Sequence, residues 1–470
     1  MEKFEQDQDL HTTSRSIHET ESHHTQGKFN DLTPVNSASS SSSSSSYDAF
    51  GHENLDDFPE GGWKAWTVIA GSALGLMTVF GVMDTISSIQ LWISQNQLKN
   101  DSLSTISWIF SLYMFTCLSM GTISGPIFDI YGIKTILAIG MILNCGGLLA
   151  TAFCTKLYQF VLAFGICTGA GAGMMFNPLV GIVSHWFLRK RGWANSLNAC
   201  GSISGVFFPL MLRSLYPDLG YKKSMIVLAC ICIGLSIPAL LMVEDRSDFL
   251  NRDQAHIPKK QRLIHAYKNT IDFRNFKEKS YLFLVMSIFF DEFSIIIVLS
   301  YIATYGKVRD VPDSTTYIIV TVMNAAGIVG KILPSMLSDV IGKFNVMFLI
   351  MTMMSIALFA IWLPYYNLTG FYLFAVIYGF GFGAVFALTP ILIAQISKTK
   401  EFGSRFGTCY FVVAFSNLVA MPIGSQFIHK ETVQNYDHMI IFAGASCLLG
   451  TIFLLCSRTS LVGIKFKAFV

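Results

Sequence analysis

The chain has 470 residues, of which 52% are hydrophobic and only 13% charged, with a mean hydropathy of +0.51. A soluble domain carries about 25% charged residues, so the composition excludes an ordinary soluble fold and points to a polytopic membrane protein. The net charge of +3 is too small to suggest a nucleic-acid partner, and ten cysteines without a Cys-x-x-Cys pair indicate neither a zinc site nor a disulfide framework.

Residues 1–58 are polar and hold an unbroken serine run from Ser39 to Ser46. Nothing there can bury a core, so the segment reads as a disordered tail. No apolar stretch follows the start, so it does not read as a signal peptide. Twelve apolar runs follow, at about 66–90, 105–125, 133–153, 157–183, 192–214, 223–243, 280–304, 315–337, 344–364, 370–396, 406–428 and 438–457. Each is near the ~20 residues that cross ~30 Å of hydrocarbon as a helix. None alternates with period two, and lipid tolerates only helices or closed barrels. The expected fold is an all-α membrane protein of twelve transmembrane helices.

The runs repeat themselves. Asp129, Gly132 and Lys134 form a polar turn between the second and third runs, and Asp339, Gly342 and Lys343 form the same device between the eighth and ninth, 210 residues on. Pro178 and Pro390 correspond at an offset of 212, Pro209 and Pro422 at 213. The glycine ladders Gly169, Gly171, Gly173 and Gly379, Gly381, Gly383 match as well. Two similar six-helix halves are implied: 59–243 and 280–457, joined by a linker at 244–279 and ending in a tail at 458–470. The linker carries nine Lys or Arg and six acidic residues, and 264–276 is expected to form a short interfacial helix with Leu263, Ile264, Tyr267, Ile271 and Phe276 on its apolar side. With the N-terminus inside, inner loops hold 20 Lys and Arg against 7 outside, which places both tails in the cytosol.

Ionisable side chains inside a bilayer are costly and mark function. The runs hold Asp84, Arg213, Asp291, Glu292 and Lys331. Asp291 and Glu292 are neighbours, so they diverge by about 100° and cannot face one point. The expected pairing is a switchable bridge between Lys331 and Asp291 or Glu292, against a static bridge that merely locks two helices. Asp84, Asp291 and Glu292 are the candidates for carrying a proton. Candidate substrate contacts are Lys331, Asn177, Asn198, Asn324, Tyr410 and Asn417, each weighed against plain interhelical packing. Phe176, Phe207 or Tyr410 could stack on a flat ring.

Two stretches carry a family resemblance: Glu60-Gly61-Gly62-Trp63-Lys64-Ala65-Trp66 before the first helix, and His185-Trp186-Phe187 running on to Gly192-Trp193-Ala194-Asn195-Ser196-Leu197 before the fifth. With the two polar turns, they make the chain resemble the monocarboxylate-transporter-like branch of the major facilitator superfamily in its fungal form, over about residues 59–460. The resemblance implies two six-helix bundles around a central site that opens alternately to either side. The lactate carriers of that branch have a Lys deep in helix one, where this chain has Met83 or Asp84, and an Asp in helix eight, where it has Gly327; Lys331 matches their Arg. Their carboxylate relay is therefore not reproduced, and fungal members of the branch also carry riboflavin.

The leading expectation is a secondary transporter, or symporter, for a small organic solute, a monocarboxylate-like anion or a riboflavin-like solute, with the proton as candidate coupling ion. The alternative is a non-transporting nutrient sensor of the same fold. A membrane enzyme would need a catalytic cluster, and the sequence offers none around His185. No Gly-x-x-x-x-Gly-Lys-[Ser/Thr] loop is present, so ATP-driven transport is not indicated. No cofactor or metal is expected, a monomer is the family-level expectation, and the plasma membrane is expected ahead of the vacuolar or another internal membrane.

Overall fold

The computed structural model describes residues 59–187, 191–246, 257–365, 367–397, 399–428 and 432–463. The expectation of a disordered tail at 1–58 lies outside the described residues, as do most of the tail beyond 458 and the side chains of Asp129 and Asp339 in the two polar turns.

The described residues form helices and connecting turns. Eleven helical stretches are long and apolar enough to cross a membrane, one fewer than the twelve expected. The difference lies in the fifth and sixth runs, which join as Leu197–Met242, 46 residues long. At 1.5 Å per residue that is about 69 Å, twice the hydrocarbon thickness. Gly220 breaks it with φ 69° and ψ 174°, a conformation open to glycine at little cost. The stretch is therefore two helices. We label the crossings α1 (Gly62–Asp84), α2 (Leu103–Tyr131), α3 (Ile133–Thr151), α4 (Leu157–Gly181), α5 and α6 (either side of Gly220 in Leu197–Met242), α7 (Lys279–Val308), α8 (Asp313–Ile341), α9 (Lys343–Trp362), α10 (Leu368–Gln395), α11 (Thr399–Gln426) and α12 (Val433–Val462).

The sequence repeat is a packing repeat. In α4, Gly169 and Gly173 admit the backbone of α2 at Tyr113 and Cys117, and Gly171 admits α3 at Gly140 and Asn144. In α10, Gly379 and Gly383 admit α8 at Met323 and Gly327, and Gly381 admits α9 at Met354. Small residues that let helices touch are the main device of packing in lipid, where burial of apolar surface gains little. The turns repeat too. Gly132 (φ 85°) and Gly342 (φ 100°) end α2 and α8, each donating its N–H to the fourth residue back, Phe128 or Ser338. Both halves and the linker fall in one compact unit, Ser46–Val470.

The halves meet along α2 against α11 and α5 against α8, and where Ile86–Gln95, which continues α1 beyond a break at Thr85, packs on α7. At one end of the molecule the family-resemblance stretches come together. The Glu60 N–H donates to the Trp186 carbonyl at 3.2 Å, and the Trp186 indole donates to the Glu244 carbonyl at 2.9 Å. Lys64 pairs with Glu244 at 2.8 Å, and Asp245 accepts from the Ile133 N–H that opens α3. The first linker residues thus staple α1, α3 and α4.

The linker helix is Lys259–Thr270, followed by a tight turn at Phe273–Lys277. It lies earlier than expected and does more than float on lipid. The Tyr267 hydroxyl donates to the Ile123 carbonyl of α2 at 3.0 Å, and the Asp272 N–H donates to Thr408 Oγ1 of α11 at 2.9 Å. It reaches both halves through one carbonyl of α2 and one hydroxyl of α11, each within its helix.

Candidate functional site

Two small cavities adjoin each other between the halves. The polar groups of the first are Glu292 of α7 and Tyr410 and Asn417 of α11; its aromatic walls are Phe176 of α4 and Phe386 of α10. The polar groups of the second are Asp84, Ser87, Ser300 and Asn324. Both share the apolar wall of Met83, Met114 and Ile296. Each holds about 20 Å³, roughly the room of one water. The central space is closed in this state.

Glu292 and Asp291 diverge as adjacent helical residues must. Glu292 turns into the first cavity, and its Oε2 has no partner. Asp291 turns the other way, towards α12, where the Cys447 thiol donates to its Oδ1 at 3.4 Å while Oδ2 has no partner. It is fully buried and lines neither cavity. Asn417 is 3% exposed, and its Oδ1 also lacks a partner. The first cavity therefore holds two unmet acceptor atoms between aromatic rings, with the Tyr410 ring braced on Phe406 at 4.6 Å.

The expected bridge between Lys331 and Asp291 or Glu292 is not formed. Lys331 crosses to the other half. Its ammonium donates to Ser202 Oγ at 2.5 Å and sits 4.3 Å from the centre of the Phe80 ring. The opposite charge that acts on it is Asp84, beyond ion-pair distance, whose carboxylate lies against Gly205. The reason is helix rotation. Gly327 and Gly330 face α10, so Lys331 is left facing α1 and α5, away from the inward side of α7. Phe80 links this group to the first cavity, meeting Phe176 edge-on at 5.6 Å.

Asn324 shares that face of α8, two turns before Lys331. Its amide donates to the Gly205 carbonyl of α5 at 2.8 Å and to the Asp84 carbonyl of α1 at 3.4 Å. Both carbonyls have lost their helical donor. Residue 209, which would serve Gly205, is proline. The Ser88 N–H, which would serve Asp84, turns back to the Thr85 carbonyl at 3.0 Å. Thr85 begins the break, its hydroxyl bonding to the Gly81 carbonyl at 2.5 Å.

The other expected contacts lie elsewhere. Asn198 donates to the Leu179 carbonyl at 3.1 Å, a group that Ser72 also serves, where α4 ends beyond Pro178. Asn177 packs against Gly121 of α2. Neither lines a cavity. Phe207 is 59% exposed on the outer surface of α5 and cannot stack on a central solute. Ser202, Ser87, Ser300 and Phe80 were not anticipated. A signal for Ser202 existed: it stands three residues before Gly205, on the same helical face.

A sequence profile described as Major Facilitator Superfamily matches residues 65–364 and 281–463. The chain is 36% identical over 429 residues to the riboflavin transporter MCH5 of Saccharomyces cerevisiae, covering 89% of this chain and 82% of that protein. It is 34% identical over 407 residues to an MFS-type transporter of an Ophiocordyceps species, covering 86% and 88%. Among solved structures, a mutant of the nucleoside transporter NupG superposes with a TM-score of 0.64 at 14% identity, over 83% of this chain and 99% of that one. The xylose transporter XylE of E. coli, partially occluded and inward open, gives 0.62 at 13% identity over 83% and 98%.

Proposed function

Because the chain belongs to the major facilitator superfamily, we propose that it is a secondary transporter moving a small organic solute between its halves by alternating access, with a riboflavin-like ring compound as its cargo. The observation that carries this reading is the first cavity, where Glu292 Oε2 and Asn417 Oδ1 stand without partners between Phe176, Phe386 and Tyr410. Two acceptors between aromatic faces suit a flat ring bearing N–H or O–H donors. A carboxylate there would meet Glu292 in a medium of low dielectric, which disfavours a monocarboxylate anion. The relative that carries riboflavin supports the same cargo class. Ligand sites span about 300–1,000 Å³, so a state with the halves rocked apart admits the solute, and the present state is the closed one.

Glu292 is the proton carrier in this reading and Asp84 the charge that Lys331 holds. The membrane is the plasma membrane, and the excess of Lys and Arg puts both tails in the cytosol. A monocarboxylate cargo remains the second reading, favoured by one observation, the ammonium of Lys331 in the membrane interior.

The test is uptake of labelled riboflavin, lactate and pyruvate by cells making or lacking the protein, with and without a protonophore. Riboflavin uptake that is lost in Glu292→Gln or Asn417→Leu supports the proposal, and protonophore sensitivity adds coupling. Uptake of lactate without riboflavin overturns the cargo in favour of the anion. Uptake of nothing by protein present at the surface moves weight to a non-transporting sensor.

A further inference from the structure

We propose that the second cavity is a hydroxyl-binding subsite that takes the neutral, hydroxylated tail of a ring solute, and that Asn324 is its specificity-determining residue. This rests on the ring-solute reading of the first cavity and adds what that reading leaves open, the part of the ligand beyond the ring.

The argument begins with two backbone carbonyls. Gly205 has no helical donor because Pro209 has no N–H, and Asp84 has none because Ser88 turns back to Thr85. In the closed state both are met by one side chain, the Asn324 amide, at 2.8 and 3.4 Å. That side chain belongs to the opposite half. Any opening that parts α8 from α1 and α5 removes it, leaving two carbonyls and an amide unmet inside the membrane. Buried polar groups without partners are rare because they are costly. Water entering the opened cavity can take the place of Asn324, and a ligand whose hydroxyls reproduce those hydrogen bonds is placed to displace that water.

The groups then exposed define the ligand. Asp84, which lines the cavity, accepts, as does the Gly205 carbonyl that the departing Asn324 uncovers beside it; Ser87 and Ser300 can do either, and the freed amide does both. Acceptors dominate, so the tail brings O–H donors. An anionic tail would face two carbonyl dipoles and Asp84, whose negative charge already answers Lys331, and is disfavoured. The tail is also attached at the right place. The second cavity shares Met83, Met114 and Ile296 with the first, so a ring in one and a short hydroxylated chain in the other form one continuous ligand against a single wall.

The experiment compares riboflavin with lumiflavin, the same ring with a methyl group in place of the hydroxylated chain. Binding to the purified full-length protein in lipid nanodiscs is read by quenching of flavin fluorescence. Riboflavin is expected to bind about tenfold or more tightly than lumiflavin, from two or three added hydrogen bonds. Asn324→Leu is expected to erase that advantage and leave lumiflavin within about threefold of its original affinity. Pro209→Ala is a second variant that does not threaten the fold. It gives Gly205 a helical donor, so the advantage of riboflavin falls while lumiflavin binding holds. Equal binding of the two flavins to the unaltered protein, or equal weakening of both in Asn324→Leu and in Pro209→Ala, overturns the subsite alone. Binding of neither flavin overturns the ring reading and the subsite with it.

Discussion

Asp84 and Lys331 are opposite charges from opposite halves, and removing either leaves the other alone in the membrane interior. Truncating one partner of a buried pair costs about 3–5 kcal/mol, whereas replacing both with apolar or neutral groups is often close to neutral. Here Lys331 also gives up a charged hydrogen bond to Ser202 and a ring contact with Phe80, each a stabilisation of about 1–2 kcal/mol. Water reaching a vacated lysine pocket offsets part of the loss. We expect Lys331→Met and Asp84→Asn each to destabilise the protein by about 3 kcal/mol. The double variant is expected to lose about 4 kcal/mol, a coupling of about 2 kcal/mol, because the two charges act on each other from beyond ion-pair distance. Thermal unfolding of the four purified proteins in one detergent checks this, with the double variant melting above the temperature to which the two single losses would add. Losses that add to within about 0.5 kcal/mol would refute the pairing, and Lys331 would then be held by Ser202 and Phe80 alone.

Three further outcomes follow from the packing and the linker. Gly383→Leu drives a side chain into the backbone of Gly327 in α8, which cannot give way as a side chain could, so it should abolish the monodisperse peak in size-exclusion chromatography. Gly234→Leu, where nothing lies within 4 Å, should leave that peak unchanged. Tyr267→Phe removes the bond from the linker helix to the Ile123 carbonyl and should raise the labelling rate of a cysteine placed on the linker-side end of α2 several-fold. The Asp272 carboxyl is held below its usual range by hydrogen bonds from Arg274. A lowered value means its contribution to the turn is present above the ordinary carboxylate range and is lost as pH falls through the depressed value. Hydrogen exchange at Arg274 should therefore stay slow as other carboxylates protonate, and Asp272→Asn should remove this acid dependence.

The fold was legible because lipid imposes two coarse rules, a helix about 20 residues long and no unmet backbone. The glycine ladders also marked the fourth and tenth helices as ones that neighbours approach closely, though not which neighbours, because a missing side chain is what lets two backbones come that close. The site was legible one residue at a time. Adjacency alone separated Asp291 from Glu292. What adjacency could not give was the rotation of α8 about its own axis. That rotation depends on Gly327 and Gly330 seating against α10, and it sent Lys331 to Asp84. The same seating explains a departure noted in the sequence. An Asp at position 327 would place its first side-chain carbon 2.8 Å from the Phe382 ring and 3.3 Å from the Gly379 carbonyl, so it would have to displace that ring from its present packing. The partners of Asn324 were hidden for another reason. They are backbone carbonyls, and only a reader who asks which donor Pro209 removed would look for them.

The linker touches α2 through Tyr267 and α11 through Asp272, helices of opposite halves that would have to part if, as proposed, that face opens. Each contact is a hydrogen bond with a net stabilisation of about 1 kcal/mol. Because the linker can stay with one helix, parting the two breaks one of these bonds, which shifts the resting population about fivefold towards closure at that end. A connection that joins two halves in sequence thus also sets how long the molecule dwells with its linker face shut. A change confined to it alters the timing of the cycle without touching a residue the solute meets.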